Sequence, residues 1–188
     1  MSCCTKEIIP MLPGPVSVPE RVLKAMSRDL DAGHTEDDHL DLYSSVTAKL
    51  GKLLNTGSDV ITMSGEGMLI LWGALKSCLG RGDRLLCIDT GVFGGGFADM
   101  GAAIGCQAEK VSFAPDSTIN QGEAMQRIED AVKRFRPKMI TVVHCETPSG
   151  TINPLAELGA LKERLGVPLL CGDAVSSVGG LEVRADDW

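Results

Sequence analysis

Four places in this 188-residue sequence carry residue types that can do chemistry, and each directly follows a short apolar run. Ser64-Gly65-Glu66-Gly67-Met68 follows VITM (60–63) and leads into a helical pattern. Such a turn can bring backbone N–H groups up to a phosphate at a helix start. It is neither the hydrolase GxSxG nor a full P-loop, which needs Lys and Ser/Thr after the last glycine. Asp89-Thr90-Gly91-Val92-Phe93-Gly94-Gly95-Gly96 follows RLLCI (84–88) and offers one flat aromatic face among glycines. Glycines are costly near a helix start unless crowding or an unusual dihedral demands them. His144-Cys145-Glu146-Thr147-Pro148-Ser149-Gly150 follows MITVV (139–143). Thr147 can donate a hydroxyl there, while His144 reads equally well as a packed histidine and Glu146 as a local cap. Asp173-Ala174-Val175-Ser176-Ser177 follows VPLLC (167–171), and a carboxylate ending an apolar run is expensive unless it meets a cation or donors. The competing reading of Asp173 is a cap for the next turn.

A phosphate cradle, an aromatic face, a hydroxyl and a carboxylate together suit a phosphorylated, protonated heteroaromatic, and pyridoxal phosphate fits that description.

The elements that must position these residues follow from periodicity. Residues 60–63, 84–88, 108–113, 139–143 and 167–171 read as strands, the third less apolar and nearer an edge. Helices are expected from Pro19 through Leu30, over 38–54, 67–79, 97–104 and 123–135, and from Pro154 to Leu165. Short apolar strands alternating with helices predict an α/β fold, a mostly parallel sheet flanked by helices. In such sheets ligands sit beyond the carboxyl ends of the strands, where all four motifs fall. Residues 1–18, rich in proline, read as an extended N-terminal arm, and 19–188 as part of a large cofactor-binding domain.

Composition narrows the function classes. The formal net charge of −7 argues against a nucleic-acid partner. No apolar run is long enough to span a membrane, and the start MSCCTKEIIP lacks the pattern of a signal peptide. The seven cysteines form no CxxC pair and lack metal-ligand spacing, which predicts reduced thiols in a reducing compartment and no metal site. The expected location is intracellular, in cytoplasm or peroxisome, and not secreted.

With LPGPVSVP (12–19), SGEGM (64–68), GDRLLCIDTGVFG (82–94), HCETPSGTINP (144–154) and CGDAVSSVGG (171–180) in this order, the chain resembles the fold-type I pyridoxal-phosphate enzymes, specifically the class V aminotransferases near the alanine–glyoxylate and serine–pyruvate group. The resemblance runs from Pro10 to the end. It implies pyridoxal 5′-phosphate as cofactor, a homodimer, and transamination of a small amino acid with a 2-oxo acid. It implies that Glu66, Gly67 and Met68 hold the cofactor phosphate, although the family often has a small hydroxyl residue where Glu66 stands. Phe93 then stacks on the ring, with Val175 on its other face. Thr147 lies near the ring oxygen, Asp173 pairs with the pyridine nitrogen, and Pro13, Gly14 and Pro15 close over the substrate. No lysine of the chain sits where the family's Schiff-base lysine belongs. The expectation is therefore an incomplete enzyme lacking its catalytic lysine and small C-terminal domain. The rival readings are a non-catalytic dimerising or regulatory remnant of the same fold, and an NAD-linked oxidoreductase built on Gly65, Gly67 and Asp89.

Overall fold

The computed structural model describes residues 11, 13–31, 33–119 and 122–188. The start of the expected arm, with Cys3 and Cys4, lies outside them. The chain divides into two compact units, the first ending at Tyr43 and the second running from Ser44 to Trp188. In the first unit, Pro13, Gly14 and Pro15 form an exposed bend before α1 (Glu20–Met26), which buries no residue. Helix α1 opens after Pro19, whose missing N–H costs nothing at a helix start. It ends four residues short of the expected Leu30. Helix α2 (Asp37–Leu53) begins in this unit and continues into the second.

The second unit is built on four strands: β1 (Arg84–Asp89), β2 (Gln107–Ser112), β3 (Met139–Val143) and β4 (Leu169–Asp173). Their order is β2-β1-β3-β4 and every pairing is parallel. The expected strand at 60–63 is not formed. Ile61 and Met63 are 78% and 63% exposed, and no described segment pairs with them. A strand needs a hydrogen-bonded ladder with another strand, so apolarity alone does not make one. The edge position of β2 agrees with its more polar sequence.

Alternation along β1 sends its side chains into two cores. Leu86 and Ile88 join Ile140 and Val142 of β3 beneath α5 (Glu123–Phe135) and α6 (Leu155–Leu165), through Ile128, Val132, Leu158 and Leu161. Leu85 and Cys87 join Met139 and Val143 beneath α3 (Gly67–Cys78) and α4 (Val92–Ala103), through Leu75, Phe97 and Met100. A strand buried on both faces must be apolar throughout, which is why RLLCI and MITVV read as continuous runs. Helix α4 starts five residues before the expected Phe97, so its glycines belong to the helix. A side chain at Gly94 would place its Cβ 2.7 Å from the Ile88 carbonyl oxygen, and one at Gly101 would place it 2.5 Å from Leu85 Cδ2. Close packing of α4 on β1 excludes side chains there and outweighs the roughly 1 kcal/mol that glycine costs in a helix.

Candidate functional site

The chain leaves β1 toward β2 on one side and β3 toward β4 on the other, so the connections after β1 and β3 diverge. That divergence opens a crevice beyond the carboxyl ends of the central strands. A cavity of about 170 Å³ lies there. It is lined by Glu66, Gly67 and Met68 at the start of α3, and by Phe93 at the start of α4. Thr147 after β3, Asp173 at the end of β4 and Val175 beyond it complete the set expected from sequence. Leu71 also lines it. Leu71, one turn after Met68 on α3, packs against the core beneath that helix and reaches the cavity as well. A cavity of ~150 Å³ holds one benzene-sized ring, so this space suits a single ring.

Each wall has a local reason. Glu66 caps α3 with extended backbone and makes no side-chain bond to its own helix. Its carbonyl accepts the Leu69 and Ile70 amides at 3.1 and 3.4 Å. The helix therefore leaves the Gly67 and Met68 N–H groups unbonded by its own carbonyls, and they form the positive end of its dipole. A Cβ on Gly67 would lie 3.3 Å from Val175 Cγ2, so the absent side chain keeps this opening clear.

Asp173 is only 6% exposed although it lines the cavity. One carboxylate oxygen accepts the Val175 amide at 2.9 Å, so the turn-capping reading holds alongside the cavity-facing one. Its carbonyl accepts the His144 amide at 2.7 Å. His144 is buried, and burial pushes its imidazole below the ordinary histidine pKa. Its Nδ1 meets Ser177 Oγ at 2.9 Å, and its ring stands edge-on to Trp188 with centroids 5.6 Å apart. His144 is thus a packed histidine that ties down the loop after Asp173. Thr147 Oγ1 hydrogen-bonds Ser176 Oγ in the same loop.

Glu146 is fully buried, and it accepts the Gly94 amide at 2.8 Å through Oε1. The reading of Glu146 as a local cap is corrected in one respect: it caps a helix 52 positions earlier in the sequence. Asn153, also fully buried, donates from Nδ2 to Thr90 Oγ1 and to the Val143 carbonyl, both at 2.8 Å. Sequence reasoning missed it, and only the turn-like character of Ile152-Asn153-Pro154 hinted at a special role. Asp89 is engaged by β2: Ser112 Oγ donates to it at 2.9 Å and Lys110 stands 3.7 Å away. It does not line the cavity. Among the described residues no cluster of His, Cys, Asp or Glu could hold a metal ion, and no helix is long and apolar enough to cross a membrane.

No family profile matches the chain. It is 34% identical over 178 residues to an uncharacterized aminotransferase of Methanocaldococcus jannaschii, covering 95% of this chain and 45% of that protein. It is 30% identical to the 42 kDa subunit of a soluble hydrogenase of Anabaena cylindrica, covering 94% of this chain and 45% of the relative. The crystal structure of an alanine–glyoxylate aminotransferase from Nostoc sp. superposes with a TM-score of 0.87 at 28% identity, covering 94% of this chain and 46% of that one. That of pyridoxamine–pyruvate aminotransferase from Mesorhizobium loti gives 0.85 at 28% identity, covering 96% and 45%. The chain thus spans a little under half the length of the proteins it matches.

Proposed function

Because the chain belongs to the class V aminotransferases, of which it spans less than half the length, we propose that it forms the cofactor-facing part of an enzyme moving an amino group between a small amino acid and a 2-oxo acid, with pyridoxal 5′-phosphate as cofactor. The observation that supports this is the cavity at the divergence of β1 and β3, where free helix amides, an aromatic ring, a hydroxyl and a buried carboxylate surround a ring-sized space.

The residues present fit the group. The Gly67 and Met68 amides, with Glu66 as helix cap, take the phosphate, and the dipole of α3 stabilises its charge. Phe93 and Val175 supply apolar faces for the ring. The Thr147 hydroxyl hydrogen-bonds near the ring oxygen. Asp173 holds the proton on the ring nitrogen, a cation that offsets the cost of burying the carboxylate. When bound, pyridoxal phosphate supplies an electron sink for charge developing at the substrate α-carbon. Excluding water from this crevice strengthens the Asp173 interaction.

Pro13, Gly14 and Pro15 are assigned to the arm of residues 1–18 that closes over the substrate, and 19–188 to part of the large domain. The lysine that anchors the cofactor in this family belongs, on this reading, to the length that the chain does not span, as does the small domain. Homodimerisation and an intracellular, reducing setting complete the assignment. Leu69 and Ile70, exposed on α3, and five free cysteines among the described residues support them.

The test uses pyridoxamine 5′-phosphate, whose binding needs no covalent anchor, titrated calorimetrically into the 188-residue chain. Saturable binding is expected, weakened about 10- to 100-fold by Asp173→Asn, the range for a hydrogen bond to a charged group. Absence of binding, or equal binding by the variant, overturns the reading.

A further inference from the structure

We infer that Glu146 is a positioning residue that locks the two diverging walls of the cavity, the Phe93 wall and the Thr147 wall, at one fixed separation. This rests on the cofactor reading above and adds to it a residue that does not touch the cavity.

Three observations carry it. Glu146 is fully buried in the connection after β3, yet its Oε1 accepts an amide at the start of α4, the connection after β1. Those are the two connections that part at the crevice, so this hydrogen bond crosses the divergence. Second, two glycines make room for the carboxyl group. A Cβ on Gly91 would lie 2.7 Å from Glu146 Cδ and Oε2, and one on Gly94 would lie 3.0 Å from Oε1. The glycine-rich start of α4 is therefore shaped around this side chain. Third, Glu146 Oε2 is buried and no described protein group hydrogen-bonds it. A buried polar atom without a protein partner is costly, so the bond to Gly94 alone does not account for a carboxyl group here.

The neighbours explain how the lock transmits. Phe93 lies between Gly91 and Gly94 in the first turn of α4, and Thr147 follows Glu146 directly. Glu146 is itself clamped in its loop, its amide donating to the Thr151 carbonyl at 3.0 Å and its carbonyl accepting from Gly150 at 2.8 Å. A carboxyl group near a helix N-terminus also meets the favourable end of the helix dipole. Without this acceptor, the first turn of α4 has no side-chain cap of its own, because its capping residue is Gly91.

The experiment compares wild type, Glu146→Gln and Glu146→Leu, each alone and combined with Phe93→Leu. The readouts are amide hydrogen exchange over residues 92–96 and affinity for pyridoxamine 5′-phosphate. Gln keeps the Oε1 acceptor and guards against loss of folding in the Leu variant. Glu146→Leu should speed exchange at Gly94 and weaken binding about tenfold, the scale of a lost cap. Glu146→Gln should stay within about threefold of wild type on both readouts. In the Phe93→Leu background the effect of Glu146→Leu on affinity should shrink, because the residue acts through Phe93. Unchanged exchange at Gly94, equal affinity of the Leu variant and wild type, or full additivity with Phe93→Leu each overturns the positioning role. If wild type does not bind the probe, the cofactor reading falls and this inference falls with it. If wild type binds and only the Glu146 comparisons fail, the cofactor reading stands alone.

Discussion

Gly91→Ala and Gly96→Ala place the same added methyl at two positions of one glycine-rich turn, and opposite outcomes are expected. At Gly91 the backbone is extended, with φ 167°, so alanine meets no dihedral penalty. In the unfolded chain the change removes conformational freedom, worth about 0.4–1 kcal/mol in favour of folding. Against this, the new Cβ would lie 2.7 Å from Glu146 Cδ and Oε2 and 3.2 Å from Cγ. The carboxyl group cannot swing aside freely, because it is buried and bonded to the Gly94 amide. Forcing an extra carbon into packed space costs about 1–3 kcal/mol. If the carboxyl group is displaced, the Gly94 amide loses its acceptor, which adds ~1–3 kcal/mol. Mid-range values give a net destabilisation of about 1 kcal/mol with the carboxyl group in place and about 3 kcal/mol with it displaced. Gly96 lies in the same helix, and nothing comes within 4 Å of its added Cβ. Alanine there gains helix propensity, about 1 kcal/mol of stability. Urea unfolding followed by circular dichroism, with slopes of about 1–3 kcal/mol per molar, resolves both changes. A Gly91→Ala chain as stable as wild type would refute the reasoning, since it would mean that Glu146 is not wedged under α4.

Asn153→Ala should destabilise by about 2–4 kcal/mol in the same assay, because it leaves Thr90 Oγ1 and the Val143 carbonyl buried without their donor; a loss below 1 kcal/mol would count against that network. Glu129 has its pKa lowered from 4.5 to about 2, first by the hydrogen bond from Arg164 and then by that from Lys133. Its stabilisation is complete above about pH 4.5 and is lost as pH falls toward 2, so Glu129→Gln should flatten stability against pH in that window alone; an unchanged profile contradicts the assignment. Burial pushes the thiols of Cys87 and Cys171 up to about 11, whereas Cys78 is exposed. Iodoacetamide at pH 8 should therefore label Cys78 well before Cys87 or Cys171, as read by peptide mass spectrometry, and equal rates would show that the core opens readily.

What the sequence determined by itself is the layered α/β plan. Helix α5 falls at 123–135 as expected, because its apolar positions keep one face and charges fill the rest. Strands β1 and β3 stand where continuous apolar runs placed them, since burial on both faces leaves no room for alternation. The seven residues expected to hold the cofactor line one cavity, because parallel strands send all their carboxyl ends to the same edge. What only the tertiary structure decided is everything that depends on a distant partner. Residues 60–63 are apolar enough for a strand, but a strand exists only with a neighbour to bond. The glycines of 91–96 read as costly near a helix start, and only the fold puts the β1 carbonyl and the Glu146 carboxyl group in the space that side chains at Gly91 and Gly94 would fill. Glu146 looked like a local cap because its actual partner, 52 residues away, is brought to it only when the connections of β1 and β3 meet at the crevice. Local propensity acts over a few residues along the chain, whereas these contacts are set by which strands lie side by side.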